Sequence, residues 1–222
     1  MKELLFGGNE HAFRLCKSYA KLQAVEGFNT HTGKIVVVPD DNVDTDRIIP
    51  ARFLSRVSRS GYGELLFADV RKNGFAMDAP EAQGASIMIV GTNFGCGSSR
   101  EHAVWAIQQA GIRAVIARRT ETSPGYSDIF RQNAANCGLL LIEVSDEEHA
   151  RLEGAGTGAQ VTIDLPNQQI LLKGVEISFE MNAVTKDALV RGLDLIGTTL
   201  VYDPDISRYE QTHESFVPRS TS

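Results

Sequence analysis

The sequence predicts one α/β domain, with a parallel β-α-β core and flanking β-hairpin elements, on three observations. Apolar runs at 85–90, 112–117 and 139–144 alternate with helix-length segments that stop at Gly111 and Gly138. That alternation is the mark of parallel strands joined by helical crossovers. Beyond residue 146 the pattern returns to short β segments around Pro166-Asn167, a hairpin signal. The chain of 222 residues, 42% apolar and 23% charged, suffices for one sizeable core, and no internal repeat or low-complexity stretch divides it.

The elements follow in order. Residues 1–23 read as an N-terminal extension: Arg14, Lys17 and Lys21 accompany Leu4, Leu5, Phe6, Phe13 and Leu15. The segment lacks the long apolar stretch of a secretory signal, and Glu3 and Glu10 disfavour a transit peptide. The domain proper is expected over 24–203. Residues 34–38 form a β-branched strand ended by Pro39, and 40–50 an acidic loop that reads as a solvated turn. The loop resembles a calcium site only superficially, because no register offers the required Gly and closing Glu. Residues 51–66 mix Arg52, Arg56 and Arg59 with Phe53, Leu54 and Val57, which predicts a mobile basic-aromatic loop and a short helix. The strand at 85–90 leads into a helix opening at Ser98 or Ser99. A strand at 112–117, a helix at 127–137 and a strand at 139–144 follow. Three β segments (160–165, 169–172, 175–179) and a last helix near 182–191, stopped by Gly192, complete the domain, and 204–222 read as a polar tail.

Composition narrows the function. A net charge of −6 without any Lys/Arg cluster argues against a nucleic-acid surface, and salt-dependent RNA affinity would be needed to revive that role. No apolar run approaches the roughly eighteen residues of a membrane span. Cys16, Cys96 and Cys137 are odd in number and widely spaced, as expected of free thiols in the cytoplasm. With no Cys-x-x-Cys pair and scattered histidines, the chain by itself is expected to hold no metal and no iron–sulfur cluster.

The chemistry concentrates at Gly91-Thr92-Asn93-Phe94-Gly95-Cys96-Gly97-Ser98-Ser99-Arg100-Glu101-His102. A glycine-rich turn into a helix presents free N–H groups and the positive end of the helix dipole, which bind anions. Gly95 and Gly97 shape that turn, and Ser98, Ser99 and Arg100 add two hydroxyls and a guanidinium: a carboxylate or phosphate pocket with a proton-transferring oxygen. The run fits neither the dinucleotide fingerprint, nor the P-loop, nor the nucleophile elbow. Ser98-x-x-Glu101 equally fits a capping box, in which Ser98 merely caps the helix. Arg100 is telling, because a cation in a first helical turn opposes the dipole unless an anion sits between them. His102, one turn in, suits either a positioning role or a core position. Phe53, Leu54, Arg56 and Arg59 suit a substrate with a carboxylate and an apolar branch, or an amphipathic segment with snorkelling arginines.

These residues resemble the family of bacterial 3-isopropylmalate dehydratase small subunits, the swivelling β/β/α domain of the aconitase superfamily. The matching runs are Asp41-Asn42-Val43-Asp44-Thr45-Asp46 with Ile48-Ile49-Pro50, and Asn93 through His102. Ser127-Asp128-Ile129-Phe130 and Gly192-Leu193-Asp194 with Ile196-Gly197 and Thr199-Leu200 follow, in family order. The resemblance implies a hydro-lyase of leucine biosynthesis that interconverts 2- and 3-isopropylmalate, branched dicarboxylic hydroxy acids, through isopropylmaleate. It implies a [4Fe-4S] cluster on a separate large subunit, acting as Lewis acid on the leaving hydroxyl. Ser98 becomes the base that takes the carbon-bound proton, with Ser99 beside it and Arg100 gripping a carboxylate. The loop after Pro50 sorts substrates. Two departures stand out: Val104 in place of the family's usual proline, and a connection at 118–127 several residues longer than usual. They keep open a sister dehydratase for citraconate, 2,3-dimethylmalate or a homoaconitate-type substrate. A stand-alone serine hydrolase built on Ser98 has no placed His–Asp pair.

Overall fold

The computed structural model describes residues 27–55, 58–71 and 74–212. The expected N-terminal extension, Arg56 and the tail beyond 212 lie outside the described residues. The strands are β1 (Thr30–Val38), β2 (Ala85–Val90), β3 (Ala114–Arg118), β4 (Leu140–Val144), β5 (Gln160–Asp164), β6 (Gln169–Leu172) and β7 (Val175–Ser178). They form one seven-stranded sheet in the order β4-β3-β2-β1-β5-β6-β7. β1 to β4 pair in parallel, and β5, β6 and β7 continue from the other edge of β1 as an antiparallel meander. The first strand is therefore the centre of the sheet, where parallel and antiparallel pairing meet.

The helices are α1 (Thr45–Ile48), α2 (Glu101–Gln109), α3 (Asp128–Cys137), α4 (Asp146–Ala155), α5 (Ala183–Arg191), α6 (Leu195–Leu200) and α7 (Asp203–Thr212). α3 begins as its sequence dictates: the Ser127 hydroxyl accepts the Phe130 N–H at 3.3 Å, and Gly138 closes the helix at φ 71°. α5 is capped by Asn182 and closed by Gly192 in the same way.

Several expectations are corrected. The stretch after 146 is not β at once, because α4 intervenes, opened by a capping box between Ser145 and Glu148. α5 is not the last helix, since α6 and α7 follow, and α7 occupies the start of the expected polar tail. Residues 51–66 contain single 3-10 turns at Ala51–Phe53 and Gly63–Leu65 in place of a short helix.

Period-two alternation splits the core between the two faces of the sheet. Met88 and Val90 face α2 and α3, packing with Ala103, Val104, Ile107 and Phe130. Ile87 and Ile89 face the opposite side, with Ile35, Ile116, Leu152 of α4 and Leu189 of α5. Helices thus cover both faces, and the carboxyl ends of β1, β2 and β3 open onto one edge. Ligands of open α/β sheets bind at such an edge.

Candidate active site

The acidic loop and the glycine loop leave adjacent parallel strands and stay zipped beyond the strand ends. Asn42 N–H donates to the Thr92 carbonyl, Gly95 N–H to Val43 and Thr45 N–H to Cys96, at 2.8–2.9 Å. The Thr45 hydroxyl then donates to the Ser98 carbonyl at 2.9 Å. The loop after β3 grips the glycine loop from its other side: Asn93 and Phe94 N–H groups donate to Pro124 and Gly125, at 2.8 and 2.9 Å. The Ser127 hydroxyl donates to the Gly95 carbonyl at 2.7 Å. Tyr126 is fully buried, and its hydroxyl lies 2.7 Å from the Val115 carbonyl and 3.0 Å from that of Ile142. The long connection after β3 thus serves as scaffold for the glycine turn.

Ser98 does not cap the helix. α2 begins at Glu101; Arg100 occupies the cap position in extended backbone (φ −131°, ψ 101°) and makes no side-chain cap bond. Glu101 also turns away from a capping box, accepting the Cys137 thiol at 3.3 Å. Ser98 and Ser99 are exposed, and Asn133 of α3 donates to the Ser99 hydroxyl at 3.4 Å. Among the described residues, the N–H groups of Gly97, Ser98 and Ser99 make no hydrogen bond. Gly95 is buried against Phe130 at φ 74°, and Gly97 is exposed at φ 89°. Both lie in the left-handed region that suits glycine.

Arg100 meets a carboxylate, but it is the protein's own. Its guanidinium pairs with Asp46 of α1 and is itself only 14% exposed. The pairing with Arg100 holds the Asp46 carboxyl below its ordinary value, against a smaller effect of burial. The acidic loop, read from sequence as a solvated turn, is therefore part of the site. Sequence reasoning placed Thr45 and Asp46 within the family-matching run but gave them no role in the site, and the unexplained cation at Arg100 was the second signal that pointed to an acidic partner.

The remaining expected residues lie around this centre. His102 packs against Tyr62 and Trp105, with ring centroids 5.4 and 4.6 Å away. Burial lowers its affinity for a proton against the raising effect of Glu101, and Arg59 and Arg100 add to the lowering. The Arg59 guanidinium stacks over Trp105 at 4.7 Å, so Arg59 and His102 share one aromatic wall. Gln109 ties this end of the loop to α2, donating to the Arg59 carbonyl at 2.7 Å and accepting the Tyr62 N–H at 2.9 Å. Phe53 and Leu54 are half-buried against the core, and Arg52 stacks over Phe53 at 4.5 Å while pairing with Asp69. These apolar side chains are thus partly committed to packing.

Burial pushes the Cys137 thiol up to about 12, helped by Glu101, and burial also raises Cys96. Among the described residues, no three His, Cys, Asp or Glu side chains gather as metal ligands. A cleft of about 810 Å³ lies elsewhere, lined by residues that include Glu121, Glu143, Asp146, Glu148 and Glu180. Carboxylates outnumber cations in that lining, where Arg119 also sits, whereas the glycine turn offers unused N–H groups beside Arg100 and suits an anion better. Among the described residues, no helix is long and apolar enough to cross a membrane.

Comparison with known proteins gives a consistent picture. The aconitase C-terminal domain family matches residues 25–147. The 3-isopropylmalate dehydratase small subunit of Streptomyces griseus is 42% identical over 200 residues, covering 88% of this chain and 98% of that protein. The protein of the same name from Shouchella clausii is 44% identical over 195 residues, covering 84% and 96%. In three dimensions, a crystal structure of 3-isopropylmalate dehydratase (leuD) from Methanocaldococcus jannaschii aligns with a TM-score of 0.61 at 30% identity. It covers 81% of this chain and 99% of its own.

Proposed function

The chain belongs to the family of 3-isopropylmalate dehydratase small subunits, within the aconitase superfamily, and we propose how its residues serve that hydro-lyase reaction. The substrate is 2-isopropylmalate. Ser98 takes a proton from carbon, the C–H electron pair becomes the double bond of isopropylmaleate, and hydroxide leaves the neighbouring carbon. Water then adds in the reverse sense, with hydroxide on the other carbon and the proton returned from Ser98.

One observation carries this reading: α2 starts at Glu101, which leaves the Ser98 hydroxyl exposed and free of capping duty. A serine alkoxide is a demanding base, so it needs donors preorganised around it. The unused N–H groups of Gly97, Ser98 and Ser99 are suited to that task, with the Gly95 and Gly97 turns aiming them. Arg100 binds a substrate carboxylate while Asp46 holds one side of its guanidinium, since five N–H donors allow two acceptors at once. His102 holds the aromatic wall it forms with Tyr62 and Trp105, over which Arg59 stacks. Phe53, Leu54, Arg56 and Arg59 border the isopropyl branch, and the stacking of Arg59 over Trp105 limits how polar that border is.

The open position of Ser98 fits a site completed by a large subunit, which also carries the [4Fe-4S] cluster. No part of the proton transfer on this chain depends on a thiol. We place the assembly in the cytoplasm, in leucine biosynthesis, with the domain over 24–203 between an N-terminal extension and a polar tail.

The test is anaerobic assay of the co-expressed subunits on 2-isopropylmalate beside citraconate and 2,3-dimethylmalate, with Ser98→Ala in parallel. Loss of a general base costs about 10²–10⁴-fold in rate. A Ser98→Ala enzyme of full activity would sink the base assignment, and preference for another malate would move the protein to a sister reaction.

A further inference from the structure

The loops after β1, β2 and β3 meet at one side chain, Asp41. Its Oδ1 accepts the Thr92 N–H at 2.7 Å. Arg118, the last residue of β3, donates through Nη2 to both Asp41 oxygens, at 2.9 and 2.7 Å. The other end of the guanidinium lies 3.5 Å from Asp146 at the start of α4. Gly91 packs under this group so closely that a Cβ there would overlap Asp41 Oδ1 and the Asp40 carbonyl. Burial alone would raise the Asp41 carboxyl, but the Thr92 N–H and Arg118 together hold it below its ordinary value.

From Asp41 the contacts run outward in one direction. Asn42 holds Thr92 through its N–H and Asn93 through its side chain, the latter at 2.9 Å. Val43 holds Gly95, and Thr45 holds Cys96 and the Ser98 carbonyl. The foot of this zipper is the only described point at which a charged pair joins β3 to both loops. A shift of one register there would carry Ser98 with it.

We propose that Asp41 and Arg118 form a charged latch that fixes the register of the glycine loop and so act as positioning residues for Ser98. The proposal rests on the reading of Ser98 as the base. Asp41 and Arg118 touch neither the Ser98 hydroxyl nor the Arg100 guanidinium, so they act through the zipper. Both are part-exposed, at 40% and 30%, and such pairs contribute little to global stability. Their removal therefore changes loop order more than folding.

The test uses the co-expressed two-subunit enzyme with Asp41→Asn, Arg118→Gln, the double variant and Arg118→Lys. Misplacing a catalytic group by about an ångström costs up to about 10²-fold. We expect kcat to fall about 10- to 10²-fold with KM for isopropylmalate little changed, because positioning acts on the transition state. The double variant should lose no more than the worse single one, since the two residues act as one device. Arg118→Lys should recover part of the loss. Amide exchange measured on the same assemblies should quicken across 92–95, the hydrogen-bonded amides of the loop, while β1 and β2 keep their protection. Unchanged kcat in the single variants overturns the latch. Equal loss of protection in β1, β2 and the loop also overturns it, because the pair is then only a structural brace. If the wild-type enzyme leaves isopropylmalate untouched, or Ser98→Ala stays active, the underlying reading fails. The exchange arm still decides whether the pair sets the loop register.

Discussion

A methyl group added at Gly95 would penetrate the Phe130 ring, on backbone already at φ 74°. At Gly97 the same methyl would find Asp44 Cβ at 3.6 Å, ordinary contact, and only the backbone at φ 89° would resist it. Gly97→Ala should therefore cost about 1–2 kcal/mol, the left-handed penalty alone. Gly95→Ala adds a collision with a ring that is itself 1% exposed, so its cost should be clearly larger. Urea unfolding of the two variants measures this, and equal losses would refute the distinction. Residue types announced the turn, because glycine spacing before a hydroxyl pair reads directly as an anion-binding corner. The ring behind Gly95 was not legible, since Phe130 lies thirty-five positions along the chain.

At the scale of elements, the Ser-x-x-Glu motifs at 98–101 and 145–148 meet different fates, and only the second is a cap. Ser145 and Glu148 exchange their bonds as a complete box at the head of α4. Ser98 and Glu101 do not, because Thr45 holds the Ser98 carbonyl and Cys137 engages Glu101. The motif is local, but its use depends on whether distant partners leave the ends free. Ser145→Ala should destabilise the chain by about 1 kcal/mol, the usual worth of a hydroxyl cap, with the activity of the assembled enzyme unaltered. Thermal unfolding and an assay of the variant check both halves. A stability change near zero would mean that the exposed box contributes nothing here. β-strand positions were largely readable, since the apolar runs and their glycine stops coincide with β2, β3 and β4 to within two residues.

Across the molecule, two described histidines, His102 and His149, are held at a disadvantage to protonation. His149 is 2% exposed, and its Nε2 lies 2.8 Å from the Val90 carbonyl at the foot of the glycine loop. Burial lowers its pKa from 6.5, against the Val90 carbonyl and Glu153 (3.6 Å from Nδ1), which favour the charged form. His102 is lowered as well, again mainly by burial. A histidine with a depressed folded pKa lends stability that is whole above the unfolded value. As pH falls, the unfolded chain takes up its proton first and that stability is lost. Stability should therefore decline as pH falls through 6.5 towards the lowered folded-state values, and the slope should flatten in His149→Gln. Asp41 and Asp46 have the same sign but act in a lower window, below their ordinary value of 3.8. Urea midpoints across that range, with the His149 titration followed by NMR, test the claim. A normal pKa at His149 would remove its basis.

Taken alone, the sequence determined the α/β class, the glycine turn with Ser98, Ser99 and Arg100, and the family to which they belong. Each of these rests on residues adjacent in the chain or on regular spacing, which local sterics and burial periodicity encode directly. The tertiary structure alone decided that Asp46 answers Arg100, that Asp41 and Arg118 join three strand ends, and that Ser98 is free of its apparent cap. Those pairings span 54 and 77 positions along the chain. Only the parallel register of β1, β2 and β3 brings such distant side chains within hydrogen-bonding reach.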